Sequence, residues 1–222
     1  MTTTIRIDLV SDIACPWCAV GLSTLERALE QIHPEIKVDV HVQPFELNPN
    51  MPLGGQDVIE HLTDKYNMSA EQVLKNQQNI YTRGAEVGFT FHPEGRKRVY
   101  NTFNCHRLMF WAEEKFDAHA ALSLKKELLA AYFTLADDID DRQTLLHAVT
   151  RAGLDAEAAA LVVDDPTAYA QAVREAQQTW QAKGIHAVPA FVIEQKYLIE
   201  GAQPAESLVN AINHLAKQKT EV

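Results

Sequence analysis

Cysteine is scarce in this chain: three residues among 222, at positions 15, 18 and 105. That is too few for a disulfide framework, and in a reducing compartment a close pair is more often catalytic or metal-binding than structural. Positive charge is also short. Twenty Lys and Arg stand against thirty Asp and Glu, a formal net charge of -10, which repels a phosphate backbone or an anionic bilayer and disfavours nucleic-acid and membrane partners. No apolar run reaches the ~18 residues needed to span a bilayer. The segment Met1-Thr-Thr-Thr-Ile-Arg-Ile-Asp8 lacks a basic stretch followed by an apolar one, so the expectation is a cytoplasmic protein. Internal repeats and low-complexity tracts are missing as well. What is there, 46% hydrophobic and 23% charged residues, is the composition of a folded globular protein, either one elaborated domain or a core with an insertion.

The periodicity gives the order of elements. Ile5, Ile7 and Leu9 alternate with Arg6 and Asp8, the period-two pattern of a strand. The strand runs into Cys15-Pro16-Trp17-Cys18, after which Leu22, Leu25, Leu29 and Ile32 recur at helical spacing until His33-Pro34. Pro16 suits a first helical turn, where its missing N–H costs nothing. Ile36, Val38, Val40 and Val42 form a second alternating strand. The proline-rich loop Pro44-Phe-Glu-Leu-Asn-Pro-Asn-Met-Pro52 then opens roughly a hundred residues of helical pattern. Ser69 with Gln72 predicts a capping box for a helix running toward Val87 and closed by Gly88, with further helices at 98–116, 119–134, 142–151 and 156–163. Asp165-Pro166 reads as N-cap plus first residue of a helix carrying Tyr169, Val173, Ala176 and Trp180 and ending at Gly184. Ala190–Ile193 and Tyr197–Ile199, separated by Glu194-Gln-Lys196, predict a hairpin, and a last helix starts at Pro204. With the middle removed, the order is strand, helix, strand, helix, strand, strand, helix. That predicts an α/β, thioredoxin-like fold with an inserted all-helical domain: residues 1–50 and 165–222 for the first, 51–164 for the insertion.

Two cysteines spaced by two residues across a helix start have a specific chemical use. Disulfide exchange needs an accessible thiolate and a second thiol near enough to resolve the mixed disulfide. Cys15 would sit where free N–H groups and the positive end of the helix dipole stabilise a thiolate, with Cys18 one turn deeper as the resolving thiol. The alternative is half of a zinc site, which needs two more ligands. Cys105 and His106 are the candidates, adjacent in sequence rather than spaced as a second knuckle. Val188-Pro189, directly before a strand, is a second signal. A trans proline that merely starts the strand is the commoner use, whereas in thioredoxin-like folds a cis proline there faces the cysteine pair and leaves the preceding backbone free for an extended substrate.

At this point the chain resembles the DsbA-like oxidoreductases and, within them, the cytosolic FrnE-type branch. The resemblance covers nearly the full length and is carried by Ser11-Asp-Ile-Ala-Cys-Pro-Trp-Cys18, Pro44-Phe-Glu-Leu-Asn-Pro49, Asn101-Thr-Phe-Asn-Cys-His-Arg-Leu108, Gly184-Ile-His-Ala-Val-Pro-Ala-Phe191 and Gly201-Ala-Gln-Pro204. It implies Cys15 as nucleophile, Cys18 as resolver and Pro189 as the cis proline, with Pro16, Trp17 and Val188 beside the substrate. It further implies that Phe45, Asn48, Asn101 and His106 lie near the active-site cleft; ordinary capping and packing is the competing reading for these. Cys105 replaces a small residue common in the family, and a lone cysteine is usually a buried small hydrophobe.

Three functions follow for test. The first is disulfide exchange with protein or low-molecular-weight thiols, with no required cofactor and glutathione as a redox partner. The second is a glutathione-dependent isomerase or transferase of the hydroxychromene carboxylate isomerase or kappa-class type, sister groups that typically carry serine where Cys15 stands. The third is a non-catalytic peptide-binding or holdase module. Homodimerisation stays open.

Overall fold

The computed structural model describes residues 3–220. β1 (Thr3–Ser11) leads through α1 (Pro16–Leu29) to β2 (Ile36–Pro44), which pairs with β1 in parallel, Ile5 opposite Val38 and Leu9 opposite Val42. Later in the chain β5 (Ala190–Ile193) pairs antiparallel with β1, and β6 (Tyr197–Glu200) antiparallel with β5, giving the order β2-β1-β5-β6. The connection between β5 and β6 is three residues, with Glu194 (φ 53°) and Gln195 (φ 56°) in the left-handed region.

β1 is central and covered on both sides. Ile5, Ile7 and Leu9 face one layer with Leu25 of α1 and with Leu208 and Ile212 of α9 (Ala205–Thr220). Val10 faces the other, with Phe45, Ala190, Val192 and Trp180 of α8 (Ala170–Ala182). Asp8 shares that second side and is fully buried. It is satisfied by Arg6, whose Nη2 and Nε donate at 2.6 and 3.0 Å, and by Gln43 Nε2 at 2.8 Å.

Between β2 and α8 come α2 (Val58–Tyr66), α3 (Ala70–Val87), α4 (Phe103–Lys115), α5 (Ala118–Leu129), α6 (Arg142–Arg151) and α7 (Ala156–Asp164). They do not stand apart from the sheet. One apolar cluster runs from Ile7 and Leu25 through Cys105 and Leu128 to Leu145, and α5 packs directly on β2. Ser69 and Gln72 form the capping box at the start of α3, and Gly88 (φ 88°) ends that helix.

Four expectations shift. The helix at 98–116 begins only at Phe103, because Asn101 Oδ1 accepts from the Phe103 N–H and Arg98 is drawn to the Gly54 and Gly55 carbonyls. Arg98–Val99 therefore forms β4, paired with Gln56–Asp57 as β3. The helix at 119–134 is α-helical only to Leu129 and ends in a π turn over Ala130–Thr134, where the Leu135 N–H reaches the Ala130 carbonyl. Asp165-Pro166 starts a turn, not a helix: Asp165 Oδ1 takes the Thr167 N–H and hydroxyl, and α8 begins five residues later. Ile32 lies beyond α1, which is capped at Glu30.

Candidate active site

Cys15 is the N-cap of α1, with extended backbone (φ -94°, ψ 112°), and Pro16 follows as the first helical residue. Proline has no N–H to offer, so the first N–H groups of the helix are those of Trp17 and Cys18; both lower the pKa of the Cys15 sulfur, and that of Cys18 also donates to the Cys15 carbonyl at 3.0 Å. Cys18 lies one turn deeper and is wholly buried; Cys15 is 4% exposed, and both are free thiols. Cys15 Sγ donates to the Val188 carbonyl at 3.7 Å. The Val188–Pro189 peptide is cis, and Val188 N–H has no backbone partner among the described residues.

The two thiols differ in acidity. The Cys18 thiol, placed to donate to Cys15 Sγ, is the largest influence on Cys15 and lowers its pKa; burial opposes it, and the Cys18 and Trp17 N–H groups reinforce it. Burial first, and then the proximity of Cys15, push Cys18 well above the ordinary thiol value. Cys15 therefore ionises first, which is what an attacking sulfur backed by a resolving one requires.

Beneath the pair sits Asp12, fully buried at the end of β1. Its Oδ1 accepts from the Thr102 hydroxyl at 2.7 Å and the Ala14 N–H at 3.2 Å and lies 3.3 Å from His106 Nε2, while Oδ2 accepts from the Leu47 N–H at 2.7 Å. Burial disfavours its charge, yet the bonds from His106, Leu47 and Thr102 together hold its pKa below the usual carboxylate value. Asp12 thus ties the β1–α1 junction to the loop after β2 and to the start of α4.

In front of Cys15 opens a cleft of about 640 Å³ between the α1 terminus, the His186–Val188 loop and helices α2 and α3. Its walls are largely apolar. Lys65, Arg96, His61 and His186 supply its basic groups, and among the described residues no Asp or Glu lines it, in a chain whose net charge is -10. Arg96 Nη1 donates to the Ala14 carbonyl at 2.7 Å, fixing the residue before Cys15. Lys65 Nζ donates to Asn48 Oδ1 at 2.6 Å and to the Leu47 carbonyl at 2.9 Å.

Of the sequence-derived site residues, Cys15, Pro16, Trp17, Asn48 and Val188 line this cleft. Pro189 is one residue behind it, and its ring rests on Gly21: a Cβ there would lie 2.9 Å from Pro189 Cγ and 3.3 Å from Phe191 Cζ. Gly21→Ala is expected to push Pro189 toward the cleft, costing about 1–3 kcal/mol, an effect visible in thermal melting. Three residues are not in the cleft. Phe45 packs on the far side of the sheet with Val10 and Trp180 because its position in the loop continues the second face of β2. Asn101 is spent capping α4 and bonding the Met51 carbonyl at 3.2 Å. His106 is buried against Asp12 instead of facing the cleft, and among the described residues no group of three His, Cys, Asp or Glu side chains is placed to hold a metal ion.

Sequence reasoning missed Asp12, Lys65, Arg96 and Lys125. Only Lys125 left a readable signal. It stands four residues after Ala121 and four before Leu129, on the apolar stripe of α5, and it is fully buried.

The likeness to known proteins extends over these features. A probable DsbA oxidoreductase from Streptomyces coelicolor, SCO1869, is 34% identical, with 95% of this chain and 89% of that one covered and a TM-score of 0.83. The uncharacterized protein YwbO of Bacillus subtilis is 26% identical over 217 residues, 97% of this chain and 100% of its own length. The cytosolic disulfide reductase DsbM from Pseudomonas aeruginosa, solved with GSH, shares the fold at 16% identity, with a TM-score of 0.61 and coverage of 98% and 100%. Residues 6–213 match the DSBA-like thioredoxin domain, a stretch that takes in the sheet, the Cys15–Cys18 turn and the intervening helices alike, and the chain belongs to that family.

Proposed function

We propose that this chain is a thiol-disulfide oxidoreductase that works through Cys15 and Cys18. The observation that carries the reading is the asymmetry of the pair: Cys15 at the open end of α1 with a lowered pKa, Cys18 behind it with a raised one. In the reducing direction the Cys15 thiolate attacks a substrate disulfide, one substrate sulfur leaves as a thiolate, and Cys18 then attacks Cys15 Sγ, releases the second sulfur and closes the Cys15–Cys18 disulfide. Oxidation of a dithiol runs the same steps in reverse, and the compartment's redox poise sets the direction. A cytoplasmic setting favours reduction.

The cleft supports a substrate class. Apolar walls with Lys65, Arg96 and two histidines suit a thiol or disulfide that carries carboxylates, and glutathione is such a redox partner. The free N–H of Val188 suits a short extended peptide segment, which would pair with it as an added strand.

The test is disulfide reduction of an insulin-type substrate by wild type and by Cys15→Ser. Loss of turnover in the variant, with binding of unfolded clients retained, is the expected result. Undiminished function of Cys15→Ser in every assay would instead point to a peptide-binding module. Glutathione-dependent isomerisation that survives in Cys15→Ser would favour the isomerase reading, since serine is the residue those sister groups carry.

A further inference from the structure

Three buried side chains hold a polar atom without a partner among the described residues: Glu46 Oε1, His106 Nδ1 and Lys125 Nζ. The first two belong to groups whose other polar atoms are engaged, Glu46 with Arg174 and Gln177, and His106 with Asp12. Lys125 has nothing. Its side chain is 0% exposed on the inner face of α5, and an ammonium placed there with no hydrogen bond opposes folding.

The fold brings a specific set of groups around that nitrogen. α5 packs on α4 and is tied to α1 by the ion pair of Lys126 with Glu26, and the charges that bear on Lys125 are those of Cys18 on α1, of Asp12 and Cys15 at the β1–α1 junction, and of Cys105 on α4, where His106 faces the same Asp12. The strongest charge interaction of Lys125 is with Cys18. Ionisable residues on the other elements that α5 contacts are turned to different partners: His41 of β2 to Glu113 and Arg6, and Arg151 of α6 to Glu127. Both oxygens of Asp12 already accept bonds, from Thr102, Ala14, Leu47 and His106, and Lys125 Nζ donates to neither.

We infer that Lys125 is the positive counter-charge against which Cys18 ionises when it resolves a mixed disulfide at Cys15. It is a positioning residue acting through Cys18, and the assignment rests on the exchange chemistry proposed above. In the resolving step Cys18 gives up its proton, its sulfur bonds to Cys15 Sγ, the bond between Cys15 and the substrate sulfur breaks, and the substrate leaves as a thiolate that takes the proton in the cleft. One disulfide is lost and one is formed, with no outside oxidant. Burial lowers the pKa of Lys125 and a Cys18 thiolate beside it works the other way, so a charged Lys125 lets that thiolate form next to a cation in a core that otherwise disfavours any anion.

Stopped-flow reaction of the reduced protein with dithiobis(nitrobenzoate) separates the two steps. Attack by Cys15 releases one coloured thiolate and resolution by Cys18 releases a second. In Lys125→Met the first release is expected to match wild type, while the second slows about tenfold at neutral pH and its pH midpoint rises by about one unit. Lys125→Gln, which keeps a polar end without the charge, should show the same split. Thermal melting of Lys125→Met at or above the wild-type midpoint would mark the effect as electrostatic rather than loss of packing. A second phase with wild-type rate and midpoint in both variants overturns the role of Lys125 and leaves the exchange reading standing. Absence of any release from wild type overturns both.

Discussion

Cys18→Ser accumulates as a covalent mixed disulfide at Cys15, and its turnover falls by orders of magnitude. The reason is that the second sulfur is the only group one helical turn from Cys15 able to expel the substrate, since Cys105 is buried on α4 with its pKa raised by burial. Mass spectrometry after incubation with a small disulfide reads the adduct directly. The choice of replacement carries a further prediction. Donation from the Cys18 side chain is the largest factor lowering the Cys15 pKa. Serine keeps a donor at that place and alanine does not. Cys18→Ser should therefore trap its adduct at low pH almost as fast as wild type makes the first attack, whereas Cys18→Ala should lag. The sign follows from the direction of the shift: a lowered pKa keeps Cys15 a thiolate below the ordinary value of 9.0, and reactivity falls as pH drops through the lowered value. Alkylation rates of the two variants across pH would separate them, and coincident curves would remove Cys18 as the source of the shift.

Asp12→Ala is expected to cost about 3–5 kcal/mol, because it strands several buried donors at roughly 1–3 kcal/mol each. The Thr102 hydroxyl and the Leu47 and Ala14 N–H groups all lose their acceptor, and His106 loses its partner. For a chain of this size that corresponds to a fall in melting temperature of roughly 6–20 °C. The pH dependence has a definite sign. A carboxylate whose folded pKa lies below the unfolded value of 3.8 adds stability above that pH and loses it as pH falls through the folded value. Asp12→Asn, which retains the volume, should flatten the acid limb of the stability curve below about pH 4. The same substitution removes an anion that raises the Cys15 pKa, so the thiol should become more acidic even as the fold weakens. A melting temperature within a degree or two of wild type for Asp12→Ala would show that the junction tolerates the loss.

Local chemistry wrote much of this protein where it could be read. The hairpin around Glu194 and Gln195, the capping box at Ser69 and Gln72, and the α1 start at Pro16 match the expected positions, because each depends on a few adjacent residues and their backbone preferences. Helix starts failed where a side chain had a better distant partner. Arg98 was pulled into β4 by carbonyls 43 and 44 residues away, and Asp165 closed a turn on Thr167 rather than capping a helix.

The amino-acid sequence by itself determined the strand and helix order, the place of Cys15 at a helix terminus and the cysteine behind it, since spacing and periodicity are properties of neighbours along the chain. Only the tertiary structure decided that Phe45, Asn101 and His106 support the site instead of lining it, that Lys65 and Arg96 face the cleft, and that Asp12 and Lys125 lie buried under the thiols. Burial and charge interaction depend on distance in space, and residues such as 12, 106 and 125 become neighbours only once α4 and α5 are packed against the sheet.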